Sequence, residues 1–252
     1  MTSEQLITCA LDIGEQMLLC GAEINRVETS IRLICAAYGC QRTDVFTITS
    51  SIVVSIVSGE GTHHTQSRRI TGGKTDLTRL DKLNSLSRQI CKTTPDYESV
   101  QASIEKVCSQ KTFPLWFEAL GSMLIAFSFT VFFGGSYIDG LVASVLGFGL
   151  RYTTWLLQKA NMNQIFVNVV ASFVLSVSAI VLVRCGLGED INKILIGNIM
   201  LLIPGIALTN SLRDMIGGDI MSGLLRFMDA VLVAVAIAAG YILAASVLGG
   251  VL

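Results

Sequence analysis

Up to Pro114, apolar residues recur singly, at helical or strand spacing; from Leu115 on they run together in blocks long enough to cross a bilayer. In the first part, Thr2 and Gln5 fit a capping box, and Leu6, Ala10, Ile13 and Met17 return at helical spacing until Gly21 interrupts the helix. A second helix carries Ile24, Val27, Ile31, Ile34 and Tyr38 on one face. It stops at Gly39, the residue type favoured just past a helix end. Two β-rich runs follow, 44–49 and 52–58, then the turn Gly59-Glu60-Gly61 and a polar strand, 62–70, that pairs back on the run before it. After Gly72-Gly73, one helix carries Leu77, Leu80, Leu83, Leu86 and Ile90; another carries Tyr97, Val100, Ile104 and Val107, with Pro95 at its first position. The predicted order is roughly ααβββαα, a small α/β domain over residues 1–113.

The remainder, 114–252, reads as five transmembrane helices: 115–135, 138–157, 165–183, 194–212 and 227–252. Short connections make them an antiparallel bundle in the lipid bilayer. Lys106, Lys111, Arg151, Lys159, Arg213 and Arg226 lie on one side of the spans, and only Arg184 and Lys193 on the other. The positive-inside rule then places the N-terminal domain in the cytoplasm and the C-terminus outside, in a multi-pass inner- or plasma-membrane protein. Residues 1–20 lack a basic leader, which agrees with that placement. Trp116, Phe117, Tyr152 and Trp155 would form an aromatic belt at the inner interface.

Charge follows the same division. Of the first 114 residues 24 are charged, balanced in sign, against 13 of the following 138. The net charge of −1 argues against nucleic-acid binding. Six of the seven cysteines lie in the first domain without metal-ligand spacing, as expected of small buried residues in a reducing compartment. The only histidines, His63 and His64, would point to opposite faces of a strand. Nucleophile-elbow, P-loop and dinucleotide motifs are absent, so neither an enzymatic role nor a cofactor has positive support.

The polar groups within the apolar half carry the candidate chemistry. Pro204-Gly205 falls about 16 Å into the fourth span, near the bilayer middle. Either it is a packing kink, or it marks a discontinuous transporter helix whose freed backbone groups meet a substrate. Asn210, Arg213 and Asp214 then share one helical face; Ser222, Arg226 and Asp229 share another, with Asp219 in the glycine turn between. Two such faces would close an ion-paired vestibule at the inner mouth, or form a solvated hairpin. Glu118 lies one turn into the first span, and Asp139 opens the second. Arg151 either snorkels to the headgroups or pairs with a carboxylate. Small residues four apart, Gly140/Ser144, Ala143/Gly147, Ala230/Ala234/Ala238 and Ala236/Gly240/Ala244, speak of close helix packing or of an oligomeric partner.

Several strings resemble a known family. Cys20-Gly21-Ala22-Glu23-Ile24-Asn25-Arg26-Val27-Glu28 is similar to the segment opening the cytoplasmic domain of the threonine/serine exporter family. So are Thr65-Gln66-Ser67-Arg68-Arg69 and the run from Asp76 to Asn84. Pro114-Leu115-Trp116, Phe132-Phe133-Gly134-Gly135, Pro204-Gly205, Asn210, Arg213-Asp214 and Gly218-Asp219 match in kind and order. The resemblance implies a membrane exporter driven by the proton gradient. Single-chain members carry more spans, so the chain looks like the N-terminal component of the split, two-subunit type, whose partner is a second small multi-span membrane subunit. Related split pairs are associated with succinate.

The resulting expectation is a secondary exporter of a small carboxylate-bearing metabolite, threonine or serine first. Arg213 or Arg226 would engage the carboxylate; Asp214, Asp219 or Asp229 would carry the proton or an amino group; Pro204-Gly205 would open the backbone. The rivals are a dicarboxylate exporter, a non-transporting regulatory or scaffold subunit, and a membrane-tethered hydrolase.

Overall fold

A computed structural model describes residues 1–110 and 113–248. Lys111 and the end of the fifth predicted span, 249–252, lie outside the described residues. The chain forms two compact units that interleave in sequence: Met1–Lys111 with Ile206–Phe227, and Thr112–Gly205 with Met228–Leu252.

The first unit begins with α1 (Ser3–Leu19), α2 (Ile24–Ala37), β1 (Arg42–Ile48), β2 (Ser51–Val57), β3 (His63–Arg69), α3 (Leu77–Thr93) and α4 (Tyr97–Cys108), in the order that the periodicity predicts. Thr2 and Gln5 form the expected capping box on α1. Gly21 and Gly39 adopt the left-handed conformation past α1 and α2. The strands form an antiparallel sheet in the order β1-β2-β3. Ile52, Val54 and Ile56 alternate into a core shared with Ile7, Leu11, Met17, Ile31, Leu83 and Ile90. The inward face of β3 is polar because α1 meets it with polar groups. Gln66 accepts from the Thr8 hydroxyl, and Arg68 pairs with Asp12 at 2.7 Å and Glu15 at 3.4 Å.

One boundary differs from the expectation. α4 begins at Tyr97, with Asp96 as its N-cap, so Pro95 lies outside the helix. A proline disfavours right-handed helical geometry in the residue before it. Thr94 instead turns left-handed at φ 41° and closes α3. Tyr38 donates its hydroxyl proton to the Pro95 carbonyl at 2.5 Å and holds the connection in place.

Two helices from the end of the described residues also contribute, α9 (Gly205–Ile216) and the long α10 (Ile220–Val247). From Ile206 through the first turns of α10, as far as Phe227, they belong to the first unit. The second unit consists of α5 (Leu115–Phe132), α6 (Tyr137–Lys159), α7 (Gln164–Arg184), α8 (Ile191–Ile199) and α10 beyond Phe227. Among the described residues four helices, α5, α6, α7 and α10, are long and apolar enough to cross a membrane. The fourth predicted stretch, 194–212, is not one helix but the separate α8 and α9.

On α5 and at the start of α6, small residues fill the helix contacts and large apolar ones point outward. Ala119, Ser122, Ala126 and Thr130 are buried on α5, while Leu124 and Phe132 point outward. On α6, Gly140, Ala143, Ser144 and Gly147 are inside, with Leu141 and Val145 exposed. Small residues at helix contacts and large apolar ones outside suit a lipid surround. Asp139 is buried at the start of α6. One carboxylate oxygen accepts from the Glu189 and Asp190 amides at 2.7 and 3.2 Å, and the other from Ser136, which pins the α7–α8 loop.

Candidate functional site

The break after α8 has a local cause. Leu201 donates to the Asn198 carbonyl and Leu202 to Ile199, so the ladder tightens to three-residue turns. Pro204 has no amide hydrogen to continue it. Gly205 opens α9, and the next residue belongs to the first unit. The sequence signal at Pro204-Gly205 therefore marks a true interruption rather than a bend in a continuous helix.

α9 and the start of α10 form a tight hairpin. Asp219 donates its amide to the Asp214 carbonyl at 2.9 Å, and Gly218, at φ 99°, makes the reversal. A Cβ on Gly223 would lie 2.6 Å from the Ser211 carbonyl, so only glycine lets the two helices approach this closely. The hairpin presents Asn210, Arg213, Asp214 and Arg226 to Gly21, Ala22, Glu23 and Ile24, where the chain passes from α1 into α2. Asn210 donates its amide to the Gly21 carbonyl at 3.0 Å, and Arg226 donates to Ala22 at 2.6 Å. Arg213 pairs with Glu23. The Ile24 amide donates to Asp214 Oδ1 at 3.2 Å.

The last bond explains a gap in α2. Its N-cap residue, Glu23, makes no capping bond with its own side chain, and Asp214 supplies the missing acceptor from elsewhere in the chain. Asp214 is almost wholly buried. Its second oxygen accepts no hydrogen bond and lies 3.5 Å from Arg226 Nε. Burial raises the Asp214 carboxyl above its usual range; the Arg226 charge and the Ile24 amide pull it down, and Asp219 and Glu23 push it up. The arrangement is a carboxylate held between one cation and one helix N-terminus, with the capacity to take up a proton.

The rest of the 20–28 segment is equally engaged. Arg26 donates to Asn84 of α3 at 2.8 Å, and Glu28 accepts from the Thr47 amide of β1 at 3.0 Å while pairing with Arg32. Burial raises the Glu28 carboxyl as well. The segment thus ties α2, α3, β1 and the hairpin together.

Of the remaining predicted residues, Asp219 is half-buried at the hairpin turn. Asp229 lies past the division in α10, exposed, in no ion pair among the described residues; it does not join the buried face of Ser222 and Arg226. Glu118 is in the second unit, where it pairs with Arg151, so the paired alternative for that arginine holds. Among the described residues no group of His, Cys, Asp and Glu is placed to hold a metal ion. Sequence reasoning missed the hairpin's docking partner, Gly21–Ile24, and the polar line Asn168, Ser172 and Ser176 on α7. The four-residue spacing of that line within an apolar run was the available signal.

A family model described as "Putative threonine/serine exporter" matches residues 8–248. A threonine/serine exporter of Corynebacterium glutamicum is 25% identical over 244 residues, covering 93% of this chain and 50% of the relative. A probable threonine/serine exporter of Mycobacterium tuberculosis (strain ATCC 25618 / H37Rv) is 21% identical over 245 residues, covering 96% of this chain and 46% of the relative. The chain therefore spans about half the length of the curated relatives it matches. No solved structure matches it. With a match that takes in the three-stranded unit, the apolar helices and the broken helix alike, the chain belongs to the threonine/serine exporter family.

Proposed function

We propose that the chain is one component of a proton-coupled exporter of small amino acids, threonine and serine first, working with a second multi-span membrane subunit. The family match along nearly the whole chain carries this reading. The second subunit follows the resemblance to the split, two-subunit members of the family. In the proposed orientation the three-stranded unit is cytoplasmic. The hairpin of α9 and α10 is the proton-responsive element, since protonating Asp214 removes the charge that faces Arg226 and weakens the acceptor for Ile24. Arg213 and Arg226 serve as anchors, because each already faces a carboxylate.

Efflux of labelled threonine, serine and succinate from cells expressing the chain with its partner tests the reading. Threonine and serine efflux that needs both proteins and collapses with a protonophore is expected. Succinate efflux without either amino acid, or efflux persisting when only the partner is present, would overturn it. Asp214→Asn should leave the chain folded and flatten the pH dependence of efflux; an unchanged pH profile would remove Asp214 from the proton's path.

Thiol labelling tests the orientation. Burial pushes the Cys9 and Cys20 thiols up to about 11 and Cys35 to about 12, so they stay protonated and slow near neutral pH. Cys185, after α7, is exposed. A membrane-impermeant maleimide added to intact cells should modify Cys185 and spare the other six. Labelling of Cys185 only after lysis would reverse the orientation.

A further inference from the structure

We propose that the interior of the second unit holds a binding site for a small zwitterionic amino acid, with Asn198 and Ser176 receiving its ammonium group and Arg151, steadied by Glu118, its carboxylate. The assignment rests on the exporter reading for its ligand but on separate residues for its place.

Asn198 continues the inward face of α8 after Ile194 and Leu195, and it is fully buried. Its Nδ2 donates to the Ile194 carbonyl at 3.0 Å. That bond fixes the amide, because a reversed one would set oxygen against oxygen. Oδ1 is left as a buried acceptor with no donor. Ser176 is fully buried on α7, and its hydroxyl is also without a partner. The other buried hydroxyls of the unit differ: Ser122, Thr130 and Ser144 donate to the carbonyl four residues back, and Ser172 donates to Ile237.

The two open groups lie at matching depth. α7 and α8 are consecutive, packed together and joined by a short loop. Ser176 precedes the end of α7 by about 12 Å of helix, and Asn198 follows the start of α8 by about 10 Å. An acceptor oxygen and a hydroxyl in an apolar interior select a donor-rich group such as a primary ammonium.

The carboxylate end follows from α5 and α6. Asn198 Oδ1 faces α6 at Gly147, where a Cβ would stand 3.4 Å from it and 2.9 Å from the Ser122 carbonyl of α5. One turn further along the same faces, about 6 Å, are Arg151 on α6 and Glu118 on α5. Arg151 donates to Glu118 Oε2 through Nε, at 2.9 Å, and through Nη2, and from Nη1 it makes only a long contact to Thr154, 3.4 Å, which leaves the Nη1 edge for a second carboxylate. A spacing of one turn suits a ligand whose two charges are a single carbon apart once a hydrogen bond of about 2.9 Å is added at each end.

Equilibrium binding of labelled L-serine to the full-length chain in lipid nanodiscs, with ethanolamine, propionate and succinate as competitors, tests the site. Asn198→Leu should weaken serine by about tenfold or more and Ser176→Ala by several-fold. The double variant Arg151→Gln with Glu118→Gln strands no charge and should reduce serine to the affinity of ethanolamine. Serine binding that stays within about twofold in all of these variants overturns the site and leaves the exporter reading standing. An ordered water, or the Gly147 Cα–H, then satisfies Asn198 instead. Absence of serine binding to the unaltered chain also overturns the site, and the efflux assay judges the exporter reading separately. Succinate binding that ignores every variant counts against both.

Discussion

Replacing Arg226 by methionine should loosen the hairpin of α9 and α10 by about 3–5 kcal/mol at pH 8 and by much less at pH 5. The size follows from what is stranded. Arg226 is the cation nearest the buried Asp214 oxygen that has no hydrogen bond, at 3.5 Å, and it also donates to the Ala22 carbonyl. Methionine fills most of the volume and leaves the carboxylate uncompensated. The sign with pH follows from linkage. Burial already places Asp214 above its ordinary range, and loss of the guanidinium moves it further up. The folded state then keeps a proton that the unfolded chain releases, so stability is greatest at low pH and falls as pH rises from the ordinary carboxylate range through the raised value. Hydrogen exchange of residues 21–30 and thermal unfolding of the full-length chain provide the readouts. Adding Asp214→Asn should recover much of the loss at pH 8, since an amide still accepts from Ile24 and buries no charge. A loss equal at both pH values, or no recovery in the double variant, would show that Arg226 acts through packing alone.

The same pair shows what could be read from the chain and what could not. Asn210, Arg213 and Asp214 share a face by spacing, and the fold keeps them on it. That Arg226 would meet Asp214 was legible because a glycine turn separates them by only twelve positions. Their joint target was not, since Ile24 and Asp214 are 190 residues apart and helical periodicity says nothing about contacts at that range. Glu23 stood out only as part of a family-like string, yet it is the partner of Arg213. The pairing of β3 with β2 was readable from the short turn Gly59-Glu60-Gly61 between them. The start of α4 was misplaced, because the left-handed threonine at 94 that pushes it past Pro95 has no sequence signature of its own. Asn198 and Ser176 escaped notice for a different reason: single neutral polar residues barely alter the hydropathy of an apolar run, and only their missing partners mark them.

Gly240→Leu should separate α7 from α10 and lower the thermal stability of the full-length chain more than any other glycine replacement in α10. A Cβ at Gly240 would overlap the Val169 carbonyl oxygen and stand 2.8 Å from Ser172 Cβ and 2.9 Å from the Phe173 amide. Two of these are backbone atoms of α7 and cannot rotate away, so relief requires the helices to part. Parting them also breaks the 2.7 Å bond from the Ser172 hydroxyl to the Ile237 carbonyl, which leaves the buried hydroxyl without its acceptor. Overpacking of this kind costs about 1–3 kcal/mol, and the lost hydrogen bond adds about 1–3 kcal/mol more. The chain contains its own control. Gly149 on α6 has nothing within 4 Å of its Cβ position, so Gly149→Ala should leave stability unchanged or raise it by about 0.5–1 kcal/mol through helix propensity. Two stripes of small residues run along α10, and the same distinction separates them. Ala236, Gly240 and Ala244 are all buried, while Ala234 and Ala238 of the other stripe are exposed. Ala238→Leu should therefore be tolerated where Gly240→Leu is not. Equal losses from the two would mean that α10 meets a further surface along Ala234 and Ala238, and that the contact with α7 does not by itself set the sensitivity of this helix.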